Sequence, residues 1–241
     1  MLTGKKLDSR ALLAEVNRKE VEKALSKTKE GLPKPFICTN EPMEEENLAK
    51  LPYSDKEKLW DIFDRLKKFR KDAEKELPNL LELRNKYPNV PAIYNYIGIV
   101  YASTDQDGKY YNNIIETTKK FPDYLFGKSA LAEYYIKKNK YKEVPKVLDK
   151  KLEIYMHYPS SVKKFHVSEV RAFYTTVGIY YARSSKTARA LFCYFILNQI
   201  DPKHGATQKL ADEIVLMEIE KLRVGTKINS HFQGQYHLLF L

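Results

Sequence analysis

The chain has 241 residues, 43% of them hydrophobic, which suffices for one large or two small domains with a continuous core that needs no covalent staple. Its two cysteines, Cys38 and Cys193, are far apart, which argues against an extracellular disulfide framework and for a reducing compartment. A net charge of +11, from 42 Lys and Arg against 31 Asp and Glu, raises the prospect of an anionic partner, although the lysines lie among acids along helical stretches, as on a solvated face.

The opening residues meet charge too early to form a secretory signal, and no stretch reaches the length of a membrane span. The sequence therefore predicts a soluble, cytoplasmic protein, with export by a dedicated secretion system left open. The 18 tyrosines against 9 glycines suit helices packed through aromatic wedges better than a glycine-rich catalytic architecture.

In chain order, residues 1–30 are expected to carry one helix. From Asp8 to Lys29 the apolar residues Leu12, Leu13, Val16, Val21 and Leu25 recur at helical spacing, before Gly31 and Pro33. Residues 31–53, with Pro33, Pro35, Pro42, Pro52 and an acidic run at Glu44 to Glu46, read as a linker without regular structure. Ser54 and Glu57 form a capping-box pair at the head of a helix running through Leu59, Trp60, Ile62, Phe63, Leu66 and Phe69. A second short helix around Leu80, Leu81 and Leu83 follows Pro78.

Beyond this point the chain repeats itself. Gly98 and Tyr101, Ala132 and Tyr135, and Gly178 and Tyr181 form three small-x-x-Tyr signatures; the first two lie 34 residues apart and the third 46 further on. A small residue lets a second helix approach closely, and an aromatic one turn later fills the angle between the two. In the third copy Tyr174, Val177, Gly178, Tyr181, Ala190, Tyr194, Leu197 and Pro202 match successive positions of the tetratricopeptide repeat, which the stretch from residue 90 to 214 therefore resembles. The second copy keeps Leu131, Ala132, Tyr135, Tyr141 and Leu148 but places Pro145 in its second helix. The first keeps Tyr94, Ile97, Gly98 and Tyr101, and is read as inserting about three residues around Asp105 to Gly108, which puts Asn113 and Thr117 at core-facing places.

The resemblance implies an all-α fold, a right-handed α-solenoid of tetratricopeptide-like helix hairpins over residues 54–223, with a helical N-terminal extension and a C-terminal tail at 224–241. In such solenoids the first helix of each pair lines a concave groove where peptides lie. By that resemblance the binding groove comprises Asn95, Ile99, Phe126, Ser129, Glu133, Ile136, Lys137, Thr175, Ile179 and Arg183, beside Ala92, Ala102, Ala172 and Ala182. Family members that clamp paired carboxylates use Lys, Asn and Arg at several of these places; only Asn95 offers a comparable group, so that function is rejected. An apolar peptide segment or helix of a partner protein fits the lining better, unless the chain's own N-terminal helix or tail fills the groove.

Residues 156–170 interrupt the register and gather Tyr158, Lys163, Lys164, Phe165 and His166, where aromatics among lysines can stack on bases or simply pack. The tail HFQGQYHLLFL reads as an irregular plug or a partner-binding segment. No glycine-rich phosphate loop, nucleophile elbow, HExxH helix or CxxC pair occurs; His157 and His166 lack partners at ligand spacing, and Cys193 lies in an apolar run. The sequence thus predicts a non-enzymatic scaffold without cofactor or metal that binds a protein partner. The alternative is a basic solenoid binding nucleic acid or another anionic surface through Lys137, Lys138, Lys140, Lys142, Lys146, Lys163 and Lys164.

Overall fold

The computed structural model of the chain describes residues 8–41, 46–68 and 70–228. Within them the fold is helical, with two strands of three residues each. The chain divides into two compact units, one of residues 33–176 and one combining residues 1–32 with 177–241. Phe69 and the tail beyond Ile228 lie outside the described residues.

The expected single N-terminal helix is two: α1 (Ser9–Ala14) and α2 (Arg18–Ser26). The break has a local cause, because the Asn17 side chain accepts from the Lys19 amide at 3.0 Å and opens a new helix one turn past Leu13. Asp8 caps α1 in the same way, accepting from the amides of Arg10 and Ala11.

In the unit of residues 33–176, the segment expected to be an irregular linker contains strand β1 (Ile37–Thr39) and the short helix α3 (Glu46–Ala49). Next comes α4 (Tyr53–Lys68), which starts one residue before the expected Ser54 cap. Pro52 supplies the reason: its carbonyl accepts from the amides of Asp55 and Lys56, so Ser54 falls inside the first turn. A 3-10 segment (Arg70–Glu76) leads to α5 (Leu77–Lys86), α6 (Pro91–Ser103), α7 (Asp107–Lys120) and α8 (Leu125–Lys137). Leu59, Ile62, Leu66, Leu80, Leu83, Ile93, Ile97 and Val100 form a continuous core among α4, α5 and α6. Trp60 stands 38% exposed instead of joining that core.

After a 3-10 turn (Tyr141–Glu143), α9 (Val144–Val147) lasts four residues; Pro145 sits in its first turn and Asp149 and Lys150 close it at positive φ. A further 3-10 turn (Ile154–His157) and strand β2 (Lys164–His166) precede α10 (Val167–Arg183). β2 pairs in parallel with β1, with Cys38 opposite Phe165. The aromatics of residues 156–170 are therefore packed: Phe165 is fully buried against Phe36 and Tyr158, and Tyr158 donates to Glu169.

Burial favours the neutral form of two histidines in this segment. Burial lowers the pKa of His157, whose Nε2 lies 2.8 Å from the Lys151 carbonyl, and burial also lowers that of His166. A histidine with a depressed folded pKa binds its proton more readily when unfolded. Its contribution is whole above the unfolded value of about 6.5 and drains away as pH falls below it. Denaturation midpoints are expected to fall between about pH 6.5 and 5, and His157→Gln to reduce that slope; an unchanged slope in urea titrations would refute the assignment.

In the second unit α10 continues from Val177 into α11 (Thr187–Ile200) and α12 (Gly205–Ile228). The N-terminal helices pack here, α2 on α11 and α1 on α12. Leu25 is 1% exposed, and the buried Arg189 on α11 donates to Thr28 Oγ1 at 3.2 Å and to the Gly31 carbonyl at 2.8 Å. Arg10 donates to the Pro202 carbonyl at 3.0 Å.

A shared helix ending appears at all three small-x-x-Tyr signatures. The tyrosine carbonyl accepts from the amide five residues on, Gln106 to Tyr101, Lys140 to Tyr135 and Lys186 to Tyr181, and the residue just before each donor, Asp105, Asn139 or Ser185, is left-handed at φ 55°, 57° or 59°. This is the Schellman ending, and it places the tyrosine two residues before the last residue of its helix each time. The next element begins nine residues after the small residue in every case: Gly98 to Asp107, Ala132 to Tyr141 and Gly178 to Thr187. The expected insertion around Asp105 to Gly108 is therefore absent from the first copy; Tyr110, not Asn113, stands at the place of Ala190. Serine gains nothing from a left-handed backbone, so Ser185→Gly is expected to stabilise by about 0.5–1 kcal/mol in chemical denaturation, and Asn139→Gly by less.

Candidate functional site

Helix α6 has apolar residues on every face, and it is used on more than one: Ile93, Ile97 and Val100 enter the core with α4 and α5, while Tyr94 and Gly98 face α7. A Cβ at Gly98 would stand 3.1 Å from Asn113 Nδ2 and 3.7 Å from the Tyr110 ring, so the missing side chain is what lets α7 approach. Asn113, 6% exposed, donates from Nδ2 to the Tyr94 carbonyl at 2.9 Å; its Oδ1 is buried without a hydrogen-bond partner. Gly127 does the same for α8, since a Cβ there would stand 3.2 Å from Thr117 Cγ2.

These helices line an open cavity of about 90 Å³. Its walls are Tyr94, Gly98 and Ile99 from α6, Tyr110, Asn113, Ile114 and Thr117 from α7, and Gly127 and Ala130 from α8, together with the half-buried Asn95 and the exposed Ala102. Burial raises the pKa of the Tyr110 hydroxyl, and the carboxylates of Glu133 and Asp107 raise it further, so the wall carries no phenolate at neutral pH. Lys137 Nζ lies 5.9 Å from the Tyr110 ring centre and Lys120 Nζ 3.0 Å from the Tyr94 hydroxyl.

The origin of the cavity is legible by comparing hairpins. α7 and α11 each have 14 residues, and the following helix starts 27 residues after the glycine in both cases, Gly98 to Leu125 and Gly178 to Gly205. Against Gly178 the third hairpin brings Cys193 and Leu210; a Cβ there would stand 3.0 Å from Cys193 Cβ and 2.6 Å from Leu210 Cδ2. In the same register Cys193 corresponds to Asn113 and Leu210 to Ala130. An isobutyl group packs on the glycine in one hairpin; in the other Asn113 and the Tyr110 ring stand against the glycine and the methyl of Ala130 leaves space beside them.

The groove residues named from the sequence fall in both units and differ in burial. Asn95 and Ile99 are half-buried and share the cavity wall. On α8, Phe126 and Glu133 are half-buried and Lys137 is exposed, while Ser129 and Ile136 are buried. Thr175 is 7% exposed in its unit. In the other unit Ile179 is 2% exposed, and Arg183 pairs with Glu213 at 2.6 Å. Tyr110 and Asn113 lie on α7, a second helix, and Gly127 and Ala130 fall between the α8 places, so the family resemblance assigns none of them to the groove; Asn113 and Thr117, expected at core-facing places, are buried.

Burial raises the pKa of the Cys38 thiol, and Cys193 is buried. Among the described residues no group of three or more His, Cys, Asp and Glu side chains converges as metal ligands, and no helix is long and apolar enough to cross a membrane. No protein-family model matches the chain, and neither does any curated protein or solved structure.

Proposed function

We propose that this chain is a non-enzymatic protein-interaction scaffold built from tetratricopeptide-like hairpins, and that α6, α7 and α8 carry its binding site for an apolar segment of a partner protein. The observation that carries the reading is the open, mainly apolar cavity beside Asn95 and Ile99, two residues that the family resemblance assigns to the binding face. The recurrent Schellman ending and the constant nine-residue step support the hairpin reading.

Binding of a nucleic acid is the weaker alternative. Bases need free aromatic faces, whereas here Lys109 lies over Tyr101, Lys137 over Tyr110 and Lys138 over Tyr134, and Tyr111 stacks on Tyr134 at 4.5 Å. In affinity capture from the native cell, the wild-type chain should retain a protein partner at high salt and Ile99→Glu should lose it without a change of fold. Tight, steeply salt-dependent binding of a labelled single strand, with no protein retained, would favour the alternative instead.

A further inference from the structure

We propose that the cavity between α6, α7 and α8 is a socket for one leucine side chain presented by an acidic segment of a partner protein. This deepens the scaffold reading and rests on it.

The identity of the occupant follows from the molecule's own precedent. In the hairpin of α10, α11 and α12, the notch above Gly178 is filled by Leu210, which is fully buried there. In the hairpin of α6, α7 and α8, Ala130 stands at the corresponding place and a void of about 90 Å³ remains next to Gly98. That space is worth about three water molecules, and its walls are mainly hydrocarbon around one unpartnered acceptor, Asn113 Oδ1, so a branched four-carbon group gains from the hydrocarbon part of the lining. The internal leucine that closes one notch defines the external group that closes the other.

The acidic character follows from the charges around the rings that line the cavity. Lys120 lies 5.3 Å from the Tyr94 ring centre and Lys137 5.9 Å from that of Tyr110, and neither forms an ion pair among the described residues. The acids near these helices are Asp107, 3.5 Å from Lys138, the half-buried Glu133, and Glu116, 3.8 Å from Arg84, whose guanidinium also lies 5.9 Å from the Tyr94 ring centre. Two ammonium groups therefore remain to meet carboxylates flanking the inserted leucine.

The test uses the full chain and two short acidic peptides identical except for a central Leu or Ala, titrated by fluorescence anisotropy and by methyl spectra. The leucine peptide should bind at least about tenfold more tightly, as expected when its extra carbons leave water, and should shift methyl signals of Ile99, Ile114 and Ala130. Ala130→Leu, which supplies the occupant internally, should abolish that preference while holding or raising Tm. Equal affinity for the two peptides, no binding of the leucine peptide at millimolar concentration, or a preference that survives Ala130→Leu would overturn the socket. So would a lowered Tm of Ala130→Leu, since the space would then not accept the group. Ile99-dependent capture of a partner protein, found together with equal affinity for both peptides, would sink the socket and leave the scaffold standing.

Discussion

Gly178→Ala is expected to destabilise the protein by about 1–3 kcal/mol, the usual cost of overpacking a filled core. The added carbon would fall 2.6 and 2.9 Å from the two Leu210 methyls and 3.0 Å from Cys193 Cβ. Leu210 has no solvent-exposed surface into which to swing, and the Cys193 β-carbon moves only if α11 moves. Alanine's better helix propensity returns at most about 1 kcal/mol, which does not offset the clash. Gly98→Ala forms the contrast: its nearest contact is the Asn113 amide at 3.1 Å, beside an open cavity that can take up the shift. Chemical denaturation of the two variants should separate them by more than about 1 kcal/mol. A Gly178→Ala protein as stable as wild type would show that the notch is not closed as described.

The second large effect concerns Ile179 and Ile99, which the family resemblance places on the same binding face. Ile179 is 2% exposed, so Ile179→Glu loses roughly 1.5–3 kcal/mol of apolar transfer and adds the cost of burying a carboxylate. Against a total stability of about 5–15 kcal/mol, that combination should unfold the unit of residues 1–32 and 177–241, or leave its amides exchanging freely. Ile99 lines the cavity, touches the α4–α6 core and is half-buried, so Ile99→Glu keeps access to water and should cost less, about 1–2 kcal/mol. Thermal melts and hydrogen exchange distinguish the two. Equal, small losses for both would return Ile179 to the surface and restore the broader groove inferred from the sequence.

How far the molecule can be read from its sequence depends on which physical effect dominates locally. The helical character of residues 53–137 follows from apolar spacing, and the cores of α4, α5 and α6 form where Leu59, Ile62, Leu80 and Leu83 predict. The division of the N-terminal helix escaped because a single Asn17 cap outweighed a continuous apolar stripe. The pairing of β1 with β2 escaped because it joins segments 127 residues apart, Ile37 with Lys164, and no periodicity of three residues can announce that.

The site was half legible. Gly98 and Gly178 stood out as notches, and they are notches, each meeting the helix that follows. Asn95 and Ile99 were named and do line the cavity. On α7, Asn113 and Thr117 are buried in the cavity wall as their core-facing places predict, but the lengthened loop read at Asp105 to Gly108 is absent, since Asp105 merely supplies the left-handed residue of an ending that Asn139 and Ser185 supply elsewhere. With the step of nine residues constant, Ala130 and Leu210 each lie 32 residues after their glycine, and the smaller side chain falls beside the cavity.

A crystal structure of the Ala130→Leu variant tests the correspondence between the two hairpins most directly. The introduced isobutyl group should lie in the cavity against Gly98 and Asn113, as Leu210 lies against Gly178 and Cys193, with α6, α7 and α8 unmoved. An isobutyl group turned outward to solvent, or α8 displaced from α6 to make room for it, would contradict the account.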